Sequence, residues 1–290
     1  MTTVDAIRLQ TQAAALAAPL PPLLAEAERV AATVLQGVHG RRRTGAGDSF
    51  WQFRRYQPGD PASAIDWRQS AKCDPLFVRE SEWAAAQSVW LWADPSPSMR
   101  WSADPARPSK FHRACLLALA AASLLLRGGE RVARLGEAPA PGLGRGVLPR
   151  LAAGFLGAAP TPDVLPDSVL PRHGSLLLLS DFLLDLAVVD LAVRRWAGAG
   201  VRGHLVQILD PAEESLPYQG RVRFAGLEGE DDLLVPEASS LRDAYGRRMA
   251  DHQAGLAAIA GAAGWSFCRH HTHLPPTAAL TAVYSMLAGQ

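Results

Sequence analysis

Residues 89–99 read VWLWADPSPSM, an apolar run that becomes polar abruptly at Asp94. A short apolar run bounded by turn residues is typical of a buried β-strand, and the two prolines that follow prevent this strand from continuing. Asp94, Ser96 and Ser98 occupy alternate positions, so one carboxylate and two hydroxyls lie close together in the turn. Hard divalent cations such as Mg²⁺ or Mn²⁺ prefer oxygen ligands of this kind, and Mg²⁺ binds them at about 2.0–2.1 Å. The stretch therefore predicts a strand that ends in a cation site.

A second apolar run, Leu176–Leu179, also ends in an acidic turn, at Ser180 and Asp181. Ligands of open parallel sheets bind beyond the carboxyl ends of the strands, near the point where the strand order reverses. If the two strands are neighbours, Asp181 lies beside Asp94, Ser96 and Ser98 at the carboxyl ends of the strands. These four side chains then form a rim of the sheet, and Asp181 becomes the fourth candidate metal ligand. The alternative for Asp181 is the cap of the next helix, since Asp is favoured at that position. For the two serines, the alternative is that their hydroxyls only stabilise the turn.

From Val89 onward, strand-like and helix-like segments alternate. The predicted strands are 89–93, 131–135, 175–179, 201–209 and 265–268, and the predicted helices are 110–127, 148–156, 186–198, 240–261 and 276–287. Ser109 is the expected N-cap of the first of these helices. This alternation with short connections predicts an α/β fold, a doubly wound and mostly parallel sheet with helices on both faces. A further edge strand is predicted at Arg221–Ala225.

The region before this alternation has a different character. Leu23–Val38 has the apolar spacing of a helix, and residues 50–82, FWQFRRYQPGDPASAIDWRQSAKCDPLFVRESE, are rich in aromatic and turn residues. We therefore expect two parts. Residues 1–84 would form an N-terminal helix with a small β-rich appendage, and residues 85–290 the α/β domain.

Residues 50–82 closely resemble the signature of the bacterial domain-of-unknown-function 58 family. The matching residues are Phe53, Arg55, Tyr56, Pro58, Gly59, Asp60, Ile65, Asp66, Trp67, Ser70, Ala71, Val78, Arg79 and Glu80. In that family, the signature precedes a von Willebrand factor A-like domain that opens with Asp-x-Ser-x-Ser-Met, as Asp94 to Met99 do here. For the charged residues of the signature we favour a hydrogen-bonded structural brace. A catalytic acid–base set that includes Asp60 and Asp66 is the alternative.

The resemblance implies a Rossmann-type, von Willebrand A-like domain with a metal-ion-dependent adhesion site. Its ligands would be Asp94, Ser96, Ser98 and Asp181, and its cofactor Mg²⁺ or Mn²⁺. The complete pattern adds a threonine from a loop between the two acidic turns, but the only threonine there is Thr161, in a Pro-rich connector. Three outcomes stay open: water takes the place of the threonine, the metal binds weakly, or the fold binds no metal.

We expect a non-catalytic protein-binding module whose metal accepts a partner carboxylate, and the resemblance implies a MoxR-type AAA+ ATPase as the partner. One alternative is a metal-assisted hydrolase that uses the same turn. Its general base is not evident, since the nearest histidines along the chain are His112 and His173. The other alternative is a metal-free scaffold that binds its partner through the signature segment.

Composition limits the cellular compartments and the kinds of binding partner that we expect. The net charge of +1 provides no global field that would attract nucleic acid or an anionic membrane. Three distant cysteines without a C-x-x-C motif are typical of reduced thiols in the cytosol. No apolar stretch has the length of a membrane span, and no G-x-x-x-x-G-K-[ST] loop for ATP occurs. We therefore expect a cytoplasmic protein without membrane insertion.

Overall fold

The computed structural model of the chain describes residues 27, 29–32, 34, 50–56, 65, 67–72, 75–81, 87–137, 140–144, 146–160 and 164–288. In chain order, its helices and strands are α1 (residues 27, 29–32 and 34), β1 (Phe50–Arg55), α2 (Trp67–Ser70), β2 (Phe77–Ser81), β3 (Ser88–Ala93), α3 (Lys110–Arg127), β4 (Arg131–Arg134), α4 (Val147–Leu156), β5 (Ser175–Ser180), α5 (Leu186–Gly198), β6 (Arg202–Leu209), α6 (Pro211–Ser215), β7 (Val222–Phe224), β8 (Leu233–Val235), α7 (Arg242–Ala262), β9 (Ser266–His271) and α8 (Pro276–Ala288). The described residues also contain two 3₁₀ turns, Ser98–Arg100 and Ala238–Leu241.

Five parallel strands form the main sheet, in the order β4–β3–β5–β6–β9. The predicted doubly wound α/β sheet is therefore confirmed. The chain runs from β3 outward to β4 and returns to β5 on the other side of β3, so the strand order reverses between β3 and β5. In this pair Ala93 lies opposite Leu179, which places the carboxyl ends of the two strands side by side.

Helices cover both faces of this sheet. α3, α4 and α8 pack on one face together with α1, and α5 and α7 pack on the other. Along β3, Leu91 belongs to the first core and its neighbour Trp90 to the second. A strand that is buried on both sides must be apolar at successive positions, which explains the unbroken run 89–93. Ser109 caps α3 as predicted, since its hydroxyl accepts a hydrogen bond from the His112 amide at 3.2 Å.

The chain divides into two compact units, one of residues 39–86 and one that contains the α/β domain. The helical residues of α1 belong to the core of the larger unit, where Ala27 and Val30 are buried. The sequence-based division at residue 84 grouped this helix with the β-rich segment instead. Apolar spacing predicts that a helix has a buried face, but it does not say which core that face joins.

The smaller unit contains the antiparallel pair of β1 and β2. Just beyond this pair, the Tyr56 amide donates to the Leu76 carbonyl at 2.8 Å. The Ser70 hydroxyl, at the end of α2, accepts a hydrogen bond from the Phe77 amide at 2.9 Å. The strand-like pattern of the signature therefore corresponds to real strands.

The signature residues are only partly described. Arg55 and Trp67 are exposed, and Tyr56 is half-buried. Pro58, Gly59, Asp60 and Asp66 lie outside the described residues, as do the side chains of Arg79 and Glu80. The structural brace and its catalytic alternative therefore stay predictions.

The strand predicted at Arg221–Ala225 is present as β7, but it is not an edge strand of the main sheet. β7 pairs antiparallel with β8 in a separate two-stranded sheet and does not join the main sheet. Each of these strands has only three residues, which is too short for alternation to reveal the pairing. Within the described part of the chain, no helix combines the length and apolar character needed to cross a membrane.

Candidate functional site

The candidate site lies where β3 and β5 end beside each other. The Asp94 amide donates to the Leu179 carbonyl at 2.9 Å, which joins the two acidic turns. The Ser98 hydroxyl donates to Asp181 Oδ2 at 3.0 Å, and it lies 3.2 Å from the Ser96 hydroxyl. The structure therefore brings together all four side chains that the sequence proposed as metal ligands.

Asp94 is buried at the centre of this arrangement, with 1% of its surface exposed. Its Oδ1 accepts a hydrogen bond from the Ser96 amide at 2.9 Å, and its Oδ2 accepts one from the Ser180 hydroxyl at 2.6 Å. Burial raises the pKa of Asp94, and the nearby charge of Asp181 raises it further, against the lowering effect of these hydrogen bonds. A positive charge at this turn would therefore stabilise the ionised carboxylate.

Asp181 is not the cap of α5. That role belongs to Asp185, whose Oδ1 accepts a hydrogen bond from the Ala187 amide at 2.9 Å. Asp181 instead accepts from the Leu183 amide through Oδ1 at 3.2 Å and faces Ser98 through Oδ2. The capping alternative for Asp181 is therefore wrong, and its carboxylate is directed to the rim.

A buried lysine completes the charge balance of the rim, and the sequence reasoning missed it. Lys110, the first residue of α3, is fully buried and donates through Nζ to Asp181 Oδ2 at 2.7 Å and to Glu213 Oε1. Burial alone would lower the pKa of Lys110, but the two carboxylates outweigh burial and raise it above its ordinary value. Burial raises the pKa of Glu213, although Lys110 opposes this effect. Lys110 is thus an internal cation that neutralises two acids of the rim.

Glu213 and Asp210 come from the turn after β6. They form a capping box for α6, in which Asp210 Oδ1 accepts from the Ala212 amide at 2.9 Å and Glu213 Oε2 accepts from the Asp210 amide at 2.8 Å. The Asp-x-x-Glu spacing is a readable sequence signal for this cap. The second oxygen of Glu213 reaches Lys110, so the same side chain both caps a helix and faces the site.

Another acidic residue reaches the site from a distant part of the chain. The Ser98 amide donates to Glu228 Oε1 at 3.2 Å, across 130 residues of sequence. Glu228 lies in the connection between β7 and β8, which sequence reasoning did not associate with the rim. His173, by contrast, precedes β5, whereas Asp181 follows it, so the two residues lie at opposite ends of this strand. It is therefore not placed to act as a general base at the rim.

Two pairs of oxygen atoms at the rim have a spacing compatible with neighbouring ligands of a Mg²⁺ or Mn²⁺ ion, and one of these atoms, Asp181 Oδ2, also accepts a hydrogen bond from Lys110. Neighbouring ligands of an octahedral Mg²⁺ at about 2.0–2.1 Å lie roughly 2.8–3.0 Å apart. The Ser96–Ser98 and Ser98–Asp181 oxygen pairs lie 3.2 and 3.0 Å apart. Within the described residues, no three His, Cys, Asp or Glu side chains are grouped as a metal site. A cation at this rim would therefore depend on the serine hydroxyls as well as on carboxylates.

Comparisons with known proteins place the chain among uncharacterized relatives. The model of a family described as "Protein of unknown function DUF58" matches residues 52–255. Uncharacterized proteins of Mycobacterium bovis and Mycobacterium tuberculosis are 28% identical to the chain over 258 residues, which covers 77% of this chain and 74% of each relative.

Two solved structures were also matched. One is an aerotolerance-related membrane protein from Bacteroides fragilis with multiple mutations to serines, at 15% identity and a TM-score of 0.41, covering 71% of this chain and 100% of that one. The other is the conserved hypothetical protein BatB from Bacteroides thetaiotaomicron, at 10% identity and a TM-score of 0.36, covering 71% of this chain and 99% of that one.

Proposed function

Because the chain belongs to the DUF58 family, whose function is unknown, we propose its role from the geometry of the rim: it is a non-catalytic protein-binding module. The observation that carries this proposal is the hydrogen bond of the Ser98 hydroxyl to Asp181 Oδ2 at 3.0 Å. It joins the two acidic turns at the place where the strand order reverses, which is where open parallel sheets bind their ligands.

In this proposal, Asp94, Ser96 and Ser98 hold a Mg²⁺ or Mn²⁺ ion, and Asp181 supports it from β5. The resemblance to the adhesion site of von Willebrand A-like domains supports this role, and the spacing of the oxygen atoms is compatible with it. When bound, the metal would supply a Lewis-acidic position for a carboxylate of the partner. The residues of the chain orient the hydroxyls, and Lys110 keeps Asp181 in place.

The proposed partner is a protein, and the family resemblance favours a MoxR-type AAA+ ATPase. The net charge of +1 is compatible with a protein partner and offers little attraction to nucleic acid. In such a pair the ATPase would supply the energy of ATP hydrolysis, and this chain would act as an adaptor or assembly factor.

The test measures how much purified MoxR-type ATPase from the source organism is retained by the immobilised full-length chain. We expect retention in Mg²⁺, and its loss both in EDTA and in the variant Ser98→Ala. Ser175→Ala is the control, because Ser175 is a buried serine at the other end of β5, away from the two acidic turns. Equal retention with and without metal would show that binding does not depend on a cation. No retention under any condition would refute the MoxR-type ATPase as the partner.

A metal-free scaffold is the second candidate, and the exposure of Trp67 favours it. Trp67 lies in the signature segment with 64% of its surface exposed, and exposed aromatic residues are enriched at protein interfaces. If the signature is the partner surface, Trp67→Ala should abolish retention of the ATPase while Ser98→Ala leaves it unchanged. The rim proposal predicts the opposite order for these two variants.

A further inference from the structure

The connection between β7 and β8 is anchored at its base. The Tyr218 ring packs edge-on against Phe224 with 5.7 Å between the ring centroids. Arg223 forms an ion pair with Asp232 at 2.6 Å, which joins the two ends of the connection. These contacts fix the path along which residues 225–232 leave and re-enter the small sheet.

Glycine allows the tight path of this connection. A Cβ atom at Gly226 would lie 2.2 Å from the Glu230 carbonyl oxygen, so a side chain cannot be accommodated there without a shift of the backbone. Gly229 has a φ of +103°, a conformation that L residues rarely adopt. Between these two glycines lies Glu228, whose amide donates to Glu230 Oε2 at 2.9 Å. The local geometry therefore presents Glu228 at the tip.

The carboxylate of Glu228 reaches the Asp94 turn. Its Oε1 accepts a hydrogen bond from the Ser98 amide at 3.2 Å. Asp94 and Asp181 are buried, whereas Glu228 and Ser98 are half-buried. Glu228 is thus an acidic residue, itself partly open to solvent, that contacts the Asp94 turn through the Ser98 amide, so it takes up space that a partner carboxylate approaching Ser98 would need.

We propose that Glu228 is an internal ligand of the rim, which occupies the place that the carboxylate of a partner would take. The inference rests on the proposed function, because it assumes that the rim binds a cation. A partner must then displace Glu228, and the connection between β7 and β8 closes the site until that happens. In the closed state the cation would be bound by the carboxylate of Glu228. In the open state it would be bound by a carboxylate of the partner in the same place.

The test uses Mn²⁺ as the probe and isothermal titration calorimetry of the full-length chain. Glu228→Ala should weaken Mn²⁺ binding on the order of 10- to 100-fold, the range found when a contact that supports a metal site is removed. Acetate, a free carboxylate, should restore most of the lost affinity in this variant and leave the wild type unchanged. Asp231→Ala is the matched control, since Asp231 is an exposed acid on the same connection.

The outcomes separate the two levels of the proposal. If the wild type binds no Mn²⁺, the cation and the proposed function that uses it are both refuted. If the wild type binds Mn²⁺ and Glu228→Ala binds it equally well, only the internal ligand is refuted. If acetate acts alike on the wild type and both variants, the restored affinity is a general ionic effect and the internal ligand is again refuted.

Discussion

Replacing Lys110 with methionine removes the ammonium that faces Asp181 and Glu213 and keeps most of the apolar stem. The side chains of Lys110 and Asp181 are fully buried, and that of Glu213 is 14% exposed. Removing one partner of a buried ion pair costs about 3–5 kcal/mol, because the remaining charge loses its counter-charge. In a large domain each 1 kcal/mol lowers Tm by roughly 2–4 °C, so Lys110→Met should unfold roughly 6–20 °C below the wild type.

Thermal unfolding followed by circular dichroism measures this difference, with urea unfolding as a second scale. Lys72→Met is the matched control, because Lys72 is the only other lysine of the chain and is exposed. We expect this control to melt with the wild type. If Lys110→Met also melts with the wild type, the ion pairs of Lys110 do not stabilise the rim, and its role as an internal cation is refuted.

Three further predictions concern pH and glycine. Burial lowers the pKa of both His204 and His270 to about 4. In the unfolded chain each histidine binds a proton below about pH 6.5, whereas in the native protein it does so only near pH 4. The free energy of unfolding should therefore fall by up to roughly 3 kcal/mol per histidine as the pH is lowered from about 6.5 to about 4. Urea midpoints that do not change over this pH range would contradict the prediction. Gly203→Ala should lower the free energy of unfolding by about 1–3 kcal/mol, because the new Cβ would lie 2.1 Å from the Trp265 ring. A urea midpoint equal to that of the wild type would contradict this prediction. Gly246→Ala, inside α7, should instead raise the free energy of unfolding by about 0.8–1.0 kcal/mol, because the new Cβ would meet no described atom within 4 Å. An unchanged or lower urea midpoint would contradict this prediction.

The main sheet could be predicted because burial on both faces leaves a plain sequence signal. β3 and β5 appear as unbroken apolar runs, and each ends in an acidic turn. The prediction that Asp94 and Asp181 lie together needed one assumption, that β3 and β5 are adjacent strands of the sheet. Parallel α/β topology makes that assumption reasonable, because polar turns at the carboxyl ends of strands meet where the strand order reverses.

The rest of the site could not be predicted, because it depends on pairs that are distant in sequence. Lys110 lies 71 residues from Asp181 and 103 from Glu213, and Glu228 lies 130 residues from Ser98. No local pattern encodes such pairs. One signal was available, since the chain has only two lysines among 29 basic residues and one of them begins an apolar helix. A cation in the first turn of a helix is unfavourable for the helix dipole, so such a lysine needs a compensating partner.

The internal cation separates the stability of the fold from any metal that binds at the rim. Lys110 neutralises Asp181 and Glu213, whereas Asp94 forms no ion pair with a described residue. A cation present at 100 times its Kd would add about 2.7 kcal/mol, less than the about 3–5 kcal/mol that removing Lys110 from its buried ion pairs would cost. The chain should therefore stay folded in EDTA, and a loss of partner binding there would report on the rim itself. Circular dichroism in EDTA at the temperature of the binding assay checks this point, and an unfolded spectrum would mean that the cation is part of the fold.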